Sequence, residues 1–300
     1  MVVIASVRPL THPGPRTNQR IIVAEGTSTG ILIELTPGEP LMKQLTDAVR
    51  SLDFSSGFAE IYGGTVSPLQ YCIPIPGDGV SRTVSYSERR FSAGGELVVA
   101  SATIGKRDGN PFVHCHALWQ TGESRRGGHL WPETLSGTTR PMAAIYGIQG
   151  VDWISTDDPE TNMPVFTPHQ SNTTGSETET SMTQAQRTVV ARVLPNEDLL
   201  GAVKVICRDQ KISQGVVRAG LGSLNGAVFI DHETGEHRIV DGPGTEVISV
   251  VGTVMEKDGD YEVNLQATLV DRHGVVHAGQ LAEEVNLVAI TFELTIQEIN

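Results

Sequence analysis

Apolar residues along this chain alternate more often than they recur at helical spacing. Residues 31–35 and 189–193 are short apolar-rich runs of strand length, and Pro111-Phe112-Val113-His114-Cys115-His116-Ala117-Leu118-Trp119 sends successive side chains to opposite faces. Helical spacing is clearest where Leu41, Leu45, Ala48 and Leu52 share one face after the turn Thr36-Pro37-Gly38-Glu39-Pro40. Glu39, and Glu197 further on, are expected in the first helical turn, where the dipole favours an acid. Glycine-punctuated strands are predicted over residues 58–65 and 216–223, with hairpin turns at Asp108-Gly109 and Asp258-Gly259. Such short connections leave no room for crossover helices, so the expected class is α+β with a mixed, antiparallel-rich sheet and packed helices.

These elements occur twice. Pro37, Glu39, Leu41, Arg50, Ser55, Gly57 and Gly64 meet Pro195, Glu197, Leu199, Arg208, Ser213, Gly215 and Gly222 at an offset of 158 residues. Further on the offset becomes 150, pairing Glu96, Thr103, Asp108, Gly109, Val113 and Ala117 with Glu246, Thr253, Asp258, Gly259, Val263 and Ala267. The change of offset places a longer insertion in the first copy, around residues 77–90. Two collinear registers in the same order indicate a tandem duplication. Residues 157–183, rich in Thr, Ser, Pro, Asn and Glu, are predicted to link the copies. The expected organisation is therefore a first domain over 1–156, a linker over 157–183 and a second domain over 184–300.

The first copy carries a cluster that the second lacks. Alternation puts His114 and His116 side by side on one face of a strand, with Val113, Cys115, Ala117 and Trp119 on the other. The Gly-rich stretch Arg125-Arg126-Gly127-Gly128-His129 is expected to turn back and bring His129 beside them. Three neutral imidazoles suit a divalent metal, zinc above all, and leave a coordination position for water or substrate. In the second copy the three positions hold Asn264, Gln266 and Gln280. Loss of a shared metal frees three ligands at once, whereas packing gives them no reason to change together. A hydrogen-bonded polar patch is the alternative. Arg125 and Arg126 are candidates to clamp a substrate carboxylate. Glu133 and Glu60 are candidates for proton transfer. His12 could reach the site from an N-terminal arm.

Composition narrows the partners. The formal net charge of −13 opposes a polyanion, so no nucleic acid is expected. Cys72, Cys115 and Cys207 form no Cys-x-x-Cys pair and read as buried thiols in a reducing compartment. The apolar run at 1–7 is too short for a signal core, and no membrane span is apparent. The protein is expected in the cytoplasm, where the sequon Asn172-Thr173-Thr174 goes unused. No P-loop, dinucleotide fingerprint or nucleophile elbow occurs.

Leu35, Pro37-Gly38-Glu39, the strand before Gly63-Gly64, and above all His114-x-His116 followed by Gly128-His129 resemble the plants and prokaryotes conserved (PPC) domain. The resemblance covers about residues 20–150 well and the second half more weakly. It implies a compact domain assembled as a trimer, with the three histidines as metal ligands and a fold similar to that of acetolactate decarboxylase, a zinc enzyme. Plant members join this domain to AT-hooks; no Arg-Gly-Arg-Pro hook occurs here. The leading expectation is a metal-dependent enzyme acting on a small carboxylate-bearing molecule, most simply a hydrolase of a lactone or similar ester that uses activated water. A zinc-dependent lyase decarboxylating a hydroxy-keto acid, and a non-catalytic metal- or metabolite-binding regulatory module, are the alternatives. A homo-oligomer is expected.

Overall fold

The computed structural model describes residues 8–171, 184–231 and 233–299. The run at 1–7, the sequon and His232 lie outside them. Both copies lay their strands in the same spatial order. In the first copy Ile21–Glu34 pairs with Met142–Gln149, followed by Gly57–Tyr62, Gly95–Arg107, Asn110–Thr121, Ser124–Leu130, Leu69–Cys72 and Arg90–Ser92. In the second, Gln186–Val193 leads to Val288–Glu298, Gln214–Leu224, Thr245–Lys257, Asp260–Val270, Val276–Leu281, Ala227–Ile230 and His237–Val240. With mostly antiparallel strands and two helices among the described residues, the chain is an α+β protein of two tandem domains.

One strand joins the copies. The second half of Ile21–Glu34 pairs within its own copy, while its first half pairs with Gln186–Val193, from Ile21 opposite Val193 to Ser28 opposite Gln186. The duplicated units therefore share one continuous ladder of backbone hydrogen bonds. At both predicted hairpins the turn residues take positive φ: 51° and 76° at Asp108-Gly109, 53° and 85° at Asp258-Gly259. That is the backbone twist a two-residue hairpin requires.

Each copy packs a single helix on one face of its sheet. Helix α1 (Leu41–Ser51) buries Leu41, Leu45, Ala48 and Val49 against Ala100, Ala102, Val113, Cys115, Ala117 and Trp119. Helix α2 (Leu199–Gln210) buries Leu199, Val203 and Ile206 against Val217, Val263, Leu265 and Ala267. The helices begin at Leu41 and Leu199, two residues after the acids expected in their first turns. Glu39 and Glu197 precede the caps, and it is Asp198 whose side chain accepts from Gly201 N, at 2.7 Å. Glu197 instead holds Arg16 and Arg20.

The linker is shorter than its composition implied. Val151–Asp158 and Met163–Gln170 form an antiparallel hairpin, in which Trp153 and Phe166 are buried. Its buried acid is paired: Asp158 accepts from Arg192 of the strand Gln186–Val193 at 2.7 Å and from Thr161 at 2.8 Å. What remains of the predicted linker, 172–183, lies outside the described residues. No helix among the described residues is long and apolar enough to cross a membrane.

Glu60, expected to transfer protons, instead ties the copies together. Its carboxylate accepts from Arg218, its own counterpart in the repeat, and from Ala219 N at 3.2 Å. Arg218 Nη1 also donates to the Tyr146 hydroxyl at 2.7 Å. Glu60 is committed to this pair and does not line the histidine cavity. Removing one member of a buried pair leaves the other desolvated and unmatched, so Glu60→Ala should cost about 3 kcal/mol in a urea titration. A loss below about 1 kcal/mol would place the pair with solvated surface ion pairs.

Candidate metal centre

The alternation read from the sequence holds on both sides of the sheet. Val113, Cys115, Ala117 and Trp119 enter the helix-side core, and His114 and His116 project from the opposite face. His129 arrives by a hairpin rather than a loop, since Ser124–Leu130 pairs with Asn110–Thr121 and puts His129 directly across from His116. Gly128 is required there: a Cβ would come within 2.5 Å of the Cys72 carbonyl oxygen. The candidate ligand atoms of the three histidines lie within 4.8 Å of one another.

The second copy closes over this face. His114 Nδ1 is 2.8 Å from Glu293 Oε1, and His116 Nδ1 is 2.7 Å from the Val247 carbonyl oxygen. A carboxylate and a carbonyl only accept, so both Nδ1 atoms carry the hydrogen and both Nε2 lone pairs point inward. Those two Nε2 atoms are 2.8 Å apart. Glu246 Oε1 lies 2.7 Å from His116 Nε2, at ion-pair distance but without hydrogen-bond alignment, and both oxygens of this fully buried carboxylate lack a hydrogen-bond partner. Lone pairs crowded this closely, away from water, repel unless a proton or a cation sits among them. A divalent cation fits this donor set.

Electrostatics divide the histidines. Burial alone would lower His116, but the neighbouring Glu246 and the Val247 carbonyl outweigh it and raise its pKa. Burial, reinforced by His114 and His116, holds His129 well below the ordinary imidazole range, leaving it in the neutral form that binds metals. Its Nδ1 is buried without a partner. In the second copy the equivalent amides saturate one another instead: Gln266 donates to Gln280 at 3.2 Å, and Gln280 donates to Asn264 at 2.9 Å.

The Plants and Prokaryotes Conserved (PCC) domain family matches residues 23–145 and again 180–300. The chain belongs to this family. A search of curated proteins finds no match. Among solved structures, the PPC protein of Pyrococcus horikoshii is 30% identical, covering 38% of this chain and 79% of its own, with a TM-score of 0.33. A metal-containing protein from Archaeoglobus fulgidus is 17% identical over 46% of this chain and 91% of its own, at a TM-score of 0.39. A protein from Ralstonia eutropha JMP134, described as a "putative DNA-binding protein", is 21% identical over 45% and 88%, at 0.37. That description overturns the exclusion of nucleic acid drawn from net charge. A whole-chain sum of −13 does not describe any one surface, so it cannot exclude a local contact.

Within this PPC protein the histidines lie in a half-enclosed cavity of about 640 Å³, walled by Tyr86 of the insertion, Phe112, Trp131 and Met163. Other predicted site residues fall elsewhere. Arg125 and Arg126 are exposed beside Gln120 and Trp119 and do not line the cavity, because the hairpin carries their strand away from it. Glu133 stands at the mouth, half exposed and 3.3 Å from Arg89. His12 packs beside Glu160 and Asp158, outside the cavity. The residues missed were Glu246 and Glu293. Both sit in apolar strands, and Glu246 repeats Glu96, signals visible in the sequence.

The three cysteines are free and buried, and burial pushes each thiol up to about 12. A thiol reagent at pH 8 should therefore label none within minutes in the native protein, and all after denaturation. Rapid labelling of native Cys72, which borders the cavity, would contradict this environment.

Proposed function

We propose that this PPC protein is a metal-dependent hydrolase of an ester or lactone of a small organic acid, with a divalent cation, best zinc, held by His114, His116 and His129. The observation that carries this reading is the pair of Nε2 lone pairs 2.8 Å apart beside the unpartnered Glu246 carboxylate. A bound cation would polarise the substrate carbonyl and make water a stronger nucleophile at neutral pH. Glu293 and the Val247 carbonyl orient the two imidazoles through their outer nitrogens. Glu246, whose Oε1 lies 2.7 Å from His116 Nε2 and whose oxygens accept no hydrogen bond among the described residues, would accept the proton of the attacking water and return it to the departing alkoxide. Glu133 takes no part from its solvated position. A cytoplasmic location belongs to this proposal and is supported by the free thiols. The lyase alternative, with its likeness to acetolactate decarboxylase, uses the same centre and is separated from hydrolysis by the product.

Untagged protein should contain about one equivalent of metal, which His114→Ala and His129→Ala should each abolish. Across a panel of lactones and hydroxy-keto acids, Glu246→Gln should lower turnover on the order of a hundredfold. Glu133→Gln should leave it within about twofold. Carbon dioxide as product would select the lyase. A metal-loaded protein inert on the whole panel would select a binding module. Absence of stoichiometric metal, with both alanine variants indistinguishable from the parent, would remove the centre altogether.

A further inference from the structure

The face that carries the histidines also carries, in order along the strands, an apolar surface and a cation. On Asn110–Thr121 the side chains of His116, His114 and Phe112 share that face, and the partner strand sets Thr103 opposite His114, Gly105 opposite Phe112, and Arg107 opposite Asn110. At the rise of an extended strand, Arg107 is rooted about 13 Å beyond the level of His114, with Phe112 between them. Arg107 lies over the Phe112 ring at 5.8 Å, and both line the cavity.

The arginines of the mouth differ in how far they are committed. Arg89 stacks on Trp131 at 4.0 Å and donates to Gln70 and Glu133. Arg82 donates Nε to the Asn162 carbonyl at 2.9 Å, while its terminal nitrogens make no hydrogen bond among the described residues. Arg107 makes no side-chain hydrogen bond among them; its contacts are ion pairs to Asp157 and Asp108 at 3.8 and 3.9 Å. A guanidinium fork with open donors at the rim of an apolar-walled cavity matches a carboxylate.

We propose that the cavity selects organic anions whose carboxylate is separated from the reacting carbonyl by an apolar spacer. The carbonyl end meets the histidines, the spacer lies on Phe112 and Met163, and the carboxylate binds Arg107 with help from Arg82. Placing the carbonyl end rests on the hydrolase reading above, but the anion end does not, and the two fail separately.

The test is calorimetric binding of 3-phenylpropionate, its neutral amide and acetate to protein stripped of metal, and to the His114→Ala variant. In both proteins 3-phenylpropionate should bind at least about tenfold more tightly than either comparison compound, because the amide lacks the charge and acetate lacks the spacer. Arg107→Gln, and more fully the Arg82→Gln/Arg107→Gln pair, should erase the preference over the amide while leaving the melting temperature unchanged. Equal binding of acid and amide, a preference that survives the double variant, or no binding of 3-phenylpropionate at millimolar concentration would each overturn the proposal. Persistence of the preference in a protein that never takes up zinc would refute the metal centre and leave this site standing.

Discussion

Two imidazole nitrogens and a carboxylate oxygen are packed at hydrogen-bonding distance where the second copy covers the histidine face. Much of the architecture exists to hold them there. His114 and His116 are fixed from behind by acceptors of the second copy, so neither ring can flip to relieve the crowding without losing a buried hydrogen bond. The two strands that supply those acceptors, Val288–Glu298 and Thr245–Lys257, both pair with the irregular strand Gln214–Leu224. Register shifts between Val217 and Gly222, with Ala219 at a φ of 48°, turn Arg218 toward Glu60 and lay the following residues over the histidine face. The Glu60–Arg218 pair thus joins the shared strand ladder and the apolar contacts of Leu118, Ile248 and Val270 in holding the copies together beside the site.

The duplication is asymmetric in the surroundings of the three histidines and of the amides that replace them. Ser101 and His116 of the first copy are 0% and 1% exposed, whereas their counterparts Val251 and Gln266 lie on an open face. Imidazoles under a neighbouring edge sit in low dielectric beside a fixed carboxylate, conditions in which a cation is held strongly. On the open face water competes for every donor and no carboxylate is supplied from above. Amides that bond one another there cost little and bind nothing.

Elements set by local chemistry were legible in the sequence: the hairpins at Asp108-Gly109 and Asp258-Gly259, the helix face of Leu41, Leu45 and Ala48, and the split of 113–119 into a core side and a histidine side. The duplication and the three clustered histidines were legible as well, because an internal repeat supplies its own comparison. Illegible were properties that arise only when distant segments meet. Glu60 read as a site carboxylate because its partner lies 158 residues away, and Arg125 and Arg126 read as clamps because the path of the hairpin was unknown. The hairpin at Val151–Gln170 was hidden by polar residues that prove to be buried and paired, which composition alone reads as solvated.

Four parts of the chain must come together before the cavity exists: the histidine hairpin, the carboxylate-bearing strands of the second copy, the Val151–Gln170 hairpin that carries Met163, and the insertion that the second copy lacks. The insertion places Tyr86 against His129, with ring centroids 5.4 Å apart, and Val84 beside Met163, Val165 and Ile290. It therefore bridges wall residues of both copies while covering the third histidine. Burial is the largest cause holding the His129 pKa down, so the segment that encloses the cavity also keeps this imidazole neutral. That insertion and histidines occur in the same copy follows from this dependence: without the cover the third imidazole would be solvated, and without the imidazole the cover would enclose nothing that needs a low dielectric.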